Sequence, residues 1–225
     1  MNRFCLIIFT APILLNQCNR HDDQQRQPAI SNKLPFNKSF DGIWQIGYSP
    51  GNVLANDLFQ PCVFSDTSQI IGIWHPSNGS AGYYPYLGQN RATTTMVDPT
   101  GSWAARAGEI VMEGSNSGQY SMLRFIAPTA GSYKVKAVFE GIHFRLSSTD
   151  VHILVNSKNV FSDFIEGYGG DISFHTIEGN NPAAKYEDVI TLKKNDIITF
   201  AVGYGKNMNH FNDTNGLLLD IKKID

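Results

Sequence analysis

Six side chains within thirty positions have the chemistry to hold a polar, ring-shaped ligand: Trp74, His75, Tyr83, Tyr84, Tyr86 and Trp103. A flat aromatic ring stacks on the less polar C–H face of a pyranose, while amide and carboxylate neighbours bond the hydroxyls. Gly79, Gly82 and Gly88 give this stretch the backbone freedom to present such rings. The same rings also suit a second role, packing loops onto a framework. Trp44 and Phe200 are assigned to the core. The turns Tyr204-Gly205-Lys206-Asn207 and Tyr168-Gly169-Gly170-Asp171 offer a second rim.

Other chemistries find less support. No G-x-S-x-G elbow is present, and a Ser/His/Asp set can be picked from any chain of this length. Asp163/Glu166 and Glu187/Asp188 supply paired carboxylates for glycoside hydrolysis, yet such neighbours on strand-turn units are usually solvated. The six histidines (His21, His75, His143, His152, His175 and His210) form no zinc-binding spacing. His152 alternates with Val151 and Ile153, so it faces away from them and is read as a cross-strand partner near Asp150. Asn209, Asn212, Asp213 and Asn215 crowd one oxygen-rich turn. They are candidate ligands for a structural calcium ion, or the caps of a metal-free Asx turn. No catalytic residue and no other cofactor is assigned, and the chain is read as a non-enzyme.

The elements that must position these groups are strands. Tyr133, Val135, Ala137 and Phe139 alternate with Lys134, Lys136 and Glu140, the pattern of a half-buried antiparallel strand. Val151, Ile153 and Val155 repeat it. Asn156–Asn159 then forms a tight turn into Val160–Ile165, which predicts a hairpin. Val189–Leu192 enters the turn 193–196, Ile197–Val202 returns from it, and Gly216–Lys222 closes the chain as a strand. No amphipathic helix of three turns is evident. Short strands punctuated by Gly, Asn, Asp and Pro predict an all-β fold: one antiparallel β-sandwich of jelly-roll type over residues 36–225. The stretch from Ser65 to Gly108 is expected to form long loops on it.

The 225 residues are 42% hydrophobic and 12% aromatic, with 20 glycines, enough apolar material for a core. A formal charge of −2 excludes a protein whose task is to coat nucleic acid. Phe4–Leu15 carries no charge and follows Arg3, which reads as an export signal over residues 1–17. Leu14-Leu15-Asn16-Gln17-Cys18 resembles a bacterial lipobox, so Cys18 is the expected lipidation site. Residues 18–35 are polar and read as a tether. The expected location is the bacterial cell envelope, with the membrane reached only through the lipid anchor. Without lipidation, Cys18 and Cys62 remain available to pair.

Leu123-Arg124-Phe125-Ile126-Ala127-Pro128-Thr129-Ala130-Gly131-Ser132-Tyr133 resembles the "RWTAP-x-AG-x-Y" signature of a β-sandwich module of bacterial exported proteins, often found with PEP-CTERM sorting tails. Thr149–Asn156 is similar to that module's "TDVHVLVNG", Asn195–Gly203 to "GDTIDFAVG", Asp213–Leu217 to "DSTGL", and Trp44–Tyr48 to its opening "W-x-YGY". The chain departs from it at Glu113-Gly114, where "HPG" often stands, and the sorting tail is absent. The resemblance implies a jelly roll akin to carbohydrate-binding modules and no established catalysis. The functional expectation is binding of glycan or another extracellular ligand through aromatic loops. A structural or adhesive envelope protein that contacts surface proteins is the alternative, and a carbohydrate-active hydrolase or lyase the third reading.

Overall fold

The computed structural model describes residues 42–66, 71–77, 83–168 and 182–225. Cys18, the export signal, the tether and the Gly169–Asp171 part of the second rim lie outside them. Among the described residues fifteen strands are formed: β1 Trp44–Ser49, β2 Gln60–Pro61, β3 Val63–Asp66, β4 Ile71–His75, β5 Tyr86–Asn90, β6 Met96–Val97, β7 Ala104–Ala105 and β8 Ile110–Glu113. Then come β9 Tyr120–Ile126, β10 Gly131–Gly141, β11 Leu146–Val155, β12 Lys158–Tyr168, β13 Ala183–Leu192, β14 Ile197–Val202 and β15 Asn215–Lys223. A single 3-10 turn spans Asn56–Leu58. Among the described residues no helix is long and apolar enough to cross a membrane.

Two antiparallel sheets carry the fold, as the period-two pattern predicts. One has six strands in the order β12-β11-β14-β9-β1-β2; the other has seven, β13-β10-β15-β8-β5-β4-β3. Their facing sides make one core. Tyr133, Val135, Ala137 and Phe139 of β10 are fully buried, as are Val151 and Ile153 of β11 and Ile198, Phe200 and Val202 of β14. Trp44 meets Phe125 edge-on at 5.5 Å, and Phe125 meets Tyr133 at 5.7 Å across the gap between the sheets. The outer face of β10 is wet: Lys134 and Lys136 reach Glu187 of β13 at 2.8 and 3.2 Å. Glu187 is solvated, as such carboxylates were expected to be.

The β11–β12 hairpin forms, with a turn at Asn156-Ser157 that is tighter than the four residues expected. Asn156 takes φ +54, a conformation asparagine tolerates, and a register shift follows at Ile153/Leu154.

Two expectations are corrected. The turn 193–196 does not close a hairpin, because β13 lies in the seven-stranded sheet and β14 in the six-stranded one. Leu192 and Ile198 are both buried, so the chain crosses the core at this corner instead of folding back beside itself. The stretch from Ser65 to Gly108 is not a set of long loops either. It supplies β4 and β5 to the larger sheet and the small β6–β7 pair. Ile71-Gly72-Ile73-Trp74 forms a strand whose Trp74 points inward, 0% exposed, against Phe64 with ring centroids 5.2 Å apart.

Trp74→Ala is therefore expected to act on stability, lowering it by about 3–5 kcal/mol through the cavity left behind. Urea unfolding monitored by far-ultraviolet circular dichroism measures this directly. A loss under about 1 kcal/mol would contradict the core placement.

Candidate functional site

The ends of four strands of the larger sheet meet at one edge of the sandwich. Tyr86 at the start of β5 pairs with Glu113 at the end of β8. Asn215 at the start of β15 pairs with Met112 of β8 and with Gly141 at the end of β10. The loops leaving these ends enclose a cleft of about 580 Å³. Tyr84, Asp98, Thr100, Ser102, Trp103, Glu113, His143, His210, Phe211, Asn212 and Thr214 line it.

Trp103 is held by a closed loop. The Asp98 amide donates to the Trp103 carbonyl at 2.9 Å, and the Gly101 amide donates to the Asp98 carbonyl at 2.8 Å. Asp98 Oδ2 accepts the Thr100 amide at 3.0 Å, the side-chain mimic of a turn. Gly101 has φ +73, where a side chain is strained. Trp103 also bridges to His143, and the Phe144 amide donates to the Ser102 carbonyl at 2.9 Å. The tryptophan is thus fixed from both sides while remaining partly exposed.

The floor is a buried polar hub around Glu113. Its Oε1 lies 3.0 Å from His210 Nδ1, and its Oε2 accepts the Thr214 hydroxyl at 2.8 Å. The Tyr86 hydroxyl also bonds this carboxyl. Burial pushes the Glu113 carboxyl above its usual range, and the bonds from His210, Thr214 and Tyr86 oppose that shift. Tyr84 stacks obliquely on His210 at 4.0 Å, and His210 stacks on Phe211 at 4.9 Å. The rings Tyr84, His210 and Phe211 run as one aromatic wall, opposite in kind to the polar loop of Asp98, Thr100 and Ser102.

The six aromatic candidates from the sequence separate into three groups. Tyr84 and Trp103 converge on the cleft. Trp74 and Tyr86 do not present their rings: Trp74 is in the core, and Tyr86, 8% exposed, directs its hydroxyl to Glu113. Both are corrected because each lies in a strand, not a loop. His75 and Tyr83 pack edge to face at 4.6 Å and line no part of the cleft. His75 Nδ1 donates to the Pro76 carbonyl at 2.8 Å, which leaves Nε2 to accept the Ser65 hydroxyl at 2.7 Å.

The oxygen-rich turn does not gather into one ligand shell. Asn209 Oδ1 caps the Phe211 amide at 3.0 Å, Asn212 lines the cleft with φ +68, and Asp213 Oδ1 accepts the Ser148 amide at 2.8 Å. Asn215 Nδ2 donates to Thr149 Oγ1 and to the Asp213 carbonyl. Within this turn Asp213 Oδ2 and Asn215 Oδ1 are buried without a hydrogen bond. The hydrogen bonds that Asn209, Asp213 and Asn215 make are those of a capped turn.

Asp98, Glu113, His143, His210 and Phe211 were not picked out as ligand contacts from the sequence. One local signal marks three of them. His143-Phe144 follows the end of β10 and His210-Phe211 lies in the loop before β15; both are His-Phe pairs whose rings stack, at 5.1 and 4.9 Å.

No family model and no curated protein matches the sequence. Solved structures do match in outline. A family 35 carbohydrate-binding module from Clostridium thermocellum superposes with a TM-score of 0.34 and 14% identity, covering 58% of this chain and 89% of that one. The CBM35 of Cellvibrio japonicus Abf62 gives 0.33 and 10%, covering 62% and 98%. A family 35 module from an environmental isolate gives 0.32 and 13%, covering 61% and 96%.

Asp213 supplies a test of the turn. Burial is the main reason its carboxyl is pushed up to about 8, with the Glu113 and Asp150 charges adding and the Ser148 amide opposing. An acid near 3.8 when exposed and about 8 when folded favours the fold fully only below pH 3.8. That contribution is lost as pH rises through 8. Asp213→Asn stays neutral throughout, so its Tm is expected to gain on the wild type steadily between pH 4 and pH 9. Thermal melts of the two proteins across that range check it; parallel curves would refute it.

Proposed function

We propose that the chain is an exported, lipid-anchored β-sandwich that binds glycan in the cleft by stacking sugar rings on Tyr84 and Trp103. The observation that carries this reading is their convergence, from separate loops, on one cleft ringed by hydroxyl, amide and imidazole groups. Apolar faces for C–H contact and short polar side chains for hydroxyls are what a pyranose requires. The carboxylates there are engaged within the protein, Asp98 by Thr100 and Glu113 by His210 and Thr214, so the cleft is read as binding its ligand unchanged. The anchor rests on the uncharged Phe4–Leu15 segment and on Cys18 after it.

A second reading draws on the loop beside the cleft. Met208 is 68% and Phe211 64% exposed, and neighbouring exposed apolar groups of this size favour a protein contact. In that case the same face meets a surface protein.

Residues 34–225 are expected to be retained by one class of polysaccharide in affinity electrophoresis. Tyr84→Ala and Trp103→Ala should each weaken that binding by about 1–3 kcal/mol while the circular dichroism spectrum stays that of the folded protein. If no polysaccharide in a broad panel retards the protein, the envelope-contact reading takes its place. For the anchor, incorporation of labelled palmitate into the full chain is expected, and Cys18→Ser should abolish it.

A further inference from the structure

The outer face of the six-stranded sheet carries a second arrangement, none of whose members lines the cleft. His152 of β11 stands directly opposite Ser162 of β12. His152 Nε2 is 2.8 Å from Asp150 Oδ2, and His152 Nδ1 is 2.9 Å from Ser162 Oγ. Asn159 Nδ2 donates to the same Oγ at 2.6 Å.

The direction of these hydrogen bonds follows from the acid. Burial raises the Asp150 carboxyl, but bonds from His152, the Gly205 amide and the Tyr120 hydroxyl outweigh it and hold the group below its usual range. An ionised carboxylate only accepts, so Nε2 carries the hydrogen. In a neutral imidazole Nδ1 is then the acceptor, and the Ser162 hydroxyl must donate to it. A serine pointing its proton at a histidine oriented by a buried carboxylate is the arrangement that activates a serine nucleophile.

The surroundings keep the acid fixed and the serine accessible. Asp150 Oδ1 accepts the Gly205 amide at 2.7 Å, and a Cβ on Gly203 would run into this carboxylate. The Tyr120 ring stands edge-on to His152 at 5.7 Å. Ser162 itself is exposed, with exposed Val160 and Phe164 beside it along the strand. The Lys206 ammonium sits 4.4 Å from the Phe164 ring centre and pairs with Glu166 at 2.8 Å. This is an apolar bank for a short acyl group, with a cation on the same bank.

We propose that Ser162 and His152, positioned by Asp150, form a surface site that hydrolyses short-chain acyl esters. Ser162 Oγ bonds to the ester carbonyl carbon as its proton passes to His152 Nδ1. The bond to the alcohol oxygen breaks, and Nδ1 returns the proton to that oxygen. Water then attacks the acyl-serine, its proton goes to Nδ1, and the carboxylic acid departs as Oγ regains a proton. Asn159 Nδ2 is the side-chain donor beside the reacting oxygen, and Asp150 stabilises the imidazolium through Nε2.

The test uses the full chain with p-nitrophenyl acetate, and a fluorophosphonate probe with peptide mass spectrometry. Saturable hydrolysis and an adduct on Ser162 are expected. Ser162→Ala and His152→Ala should each lower kcat/KM by about 10²-fold or more, and Ser162→Ala, being a surface change, should keep the wild-type Tm. Asp150→Asn should alter the pH profile of kcat, which a purely structural role would leave in place. Wild-type hydrolysis by Ser162→Ala, or absence of the Ser162 adduct in folded protein, would overturn the proposal.

Discussion

The mutual burial of two sheet faces, bridged by the Phe125–Tyr133 contact, is the constraint on which the rest of the molecule depends. Phe125 belongs to β9 of the six-stranded sheet and Tyr133 to β10 of the seven-stranded one, so the chain changes sheet between them. The Tyr133 hydroxyl donates to the Thr129 carbonyl at 2.8 Å and pins that corner. A ring that is fully buried yet keeps its hydroxyl bonded satisfies both demands on an interior tyrosine. The turn between β13 and β14 is another of the places where the chain changes sheet. With such crossings fixed, alternate residues on the central strands have a determined inside and outside.

The cleft follows from this as a consequence of strand ends. β5, β8, β10 and β15 stop at a common edge, and each delivers a residue or a loop there. The sandwich contributes a rigid frame; Trp103 and Tyr84 come from segments that the frame holds at both ends. Arg124 shows how the frame is secured elsewhere. It is buried, lies 3.8 Å over the Phe59 ring and bonds the Asn56 carbonyl, tying the 3-10 turn onto β9. Burial brings its guanidinium down to about 10, far enough above neutrality to keep its charge.

Strand identity was legible where alternation was long and clean. Tyr133–Phe139 and Val151–Val155 could be assigned to the core face from period alone. Short strands were harder: β4 and β5 have five residues each, glycine interrupts both, and they resemble loops that happen to hold aromatics. That is why Trp74 and Tyr86 were read as ligand contacts. Local spacing cannot show which sheet a strand joins, so the crossing at 193–196 looked like a hairpin. The cleft was only half visible because Glu113, His143 and His210 are separated by up to 97 residues and meet through pairing. His152 was read correctly as outward-facing, but its partner Ser162 depends on the hairpin register.

The residues that carry the sequence resemblance sit mostly in the frame: Arg124 on the 3-10 turn, Tyr133 at the corner, Asp213 on the Ser148 amide. Of these blocks only Thr214 reaches the cleft; the other residues lining it lie outside them. A shared signature of this kind therefore transmits a fold and leaves the ligand to the loops. What the loops offer here is specific in charge. Asp98 and Glu113 line the cleft together with two histidines, and among the described residues no lysine or arginine lines it. A second anion brought into that space meets carboxylates without a fixed cation to offset them, in surroundings where charge repulsion is poorly screened. Neutral hydroxyl-bearing surfaces meet no such cost and find donors and acceptors in Thr100, Ser102, Asn212 and the imidazoles. The frame thus explains why a cleft exists, and the side chains at its mouth set the charge and the hydrogen-bonding groups it presents.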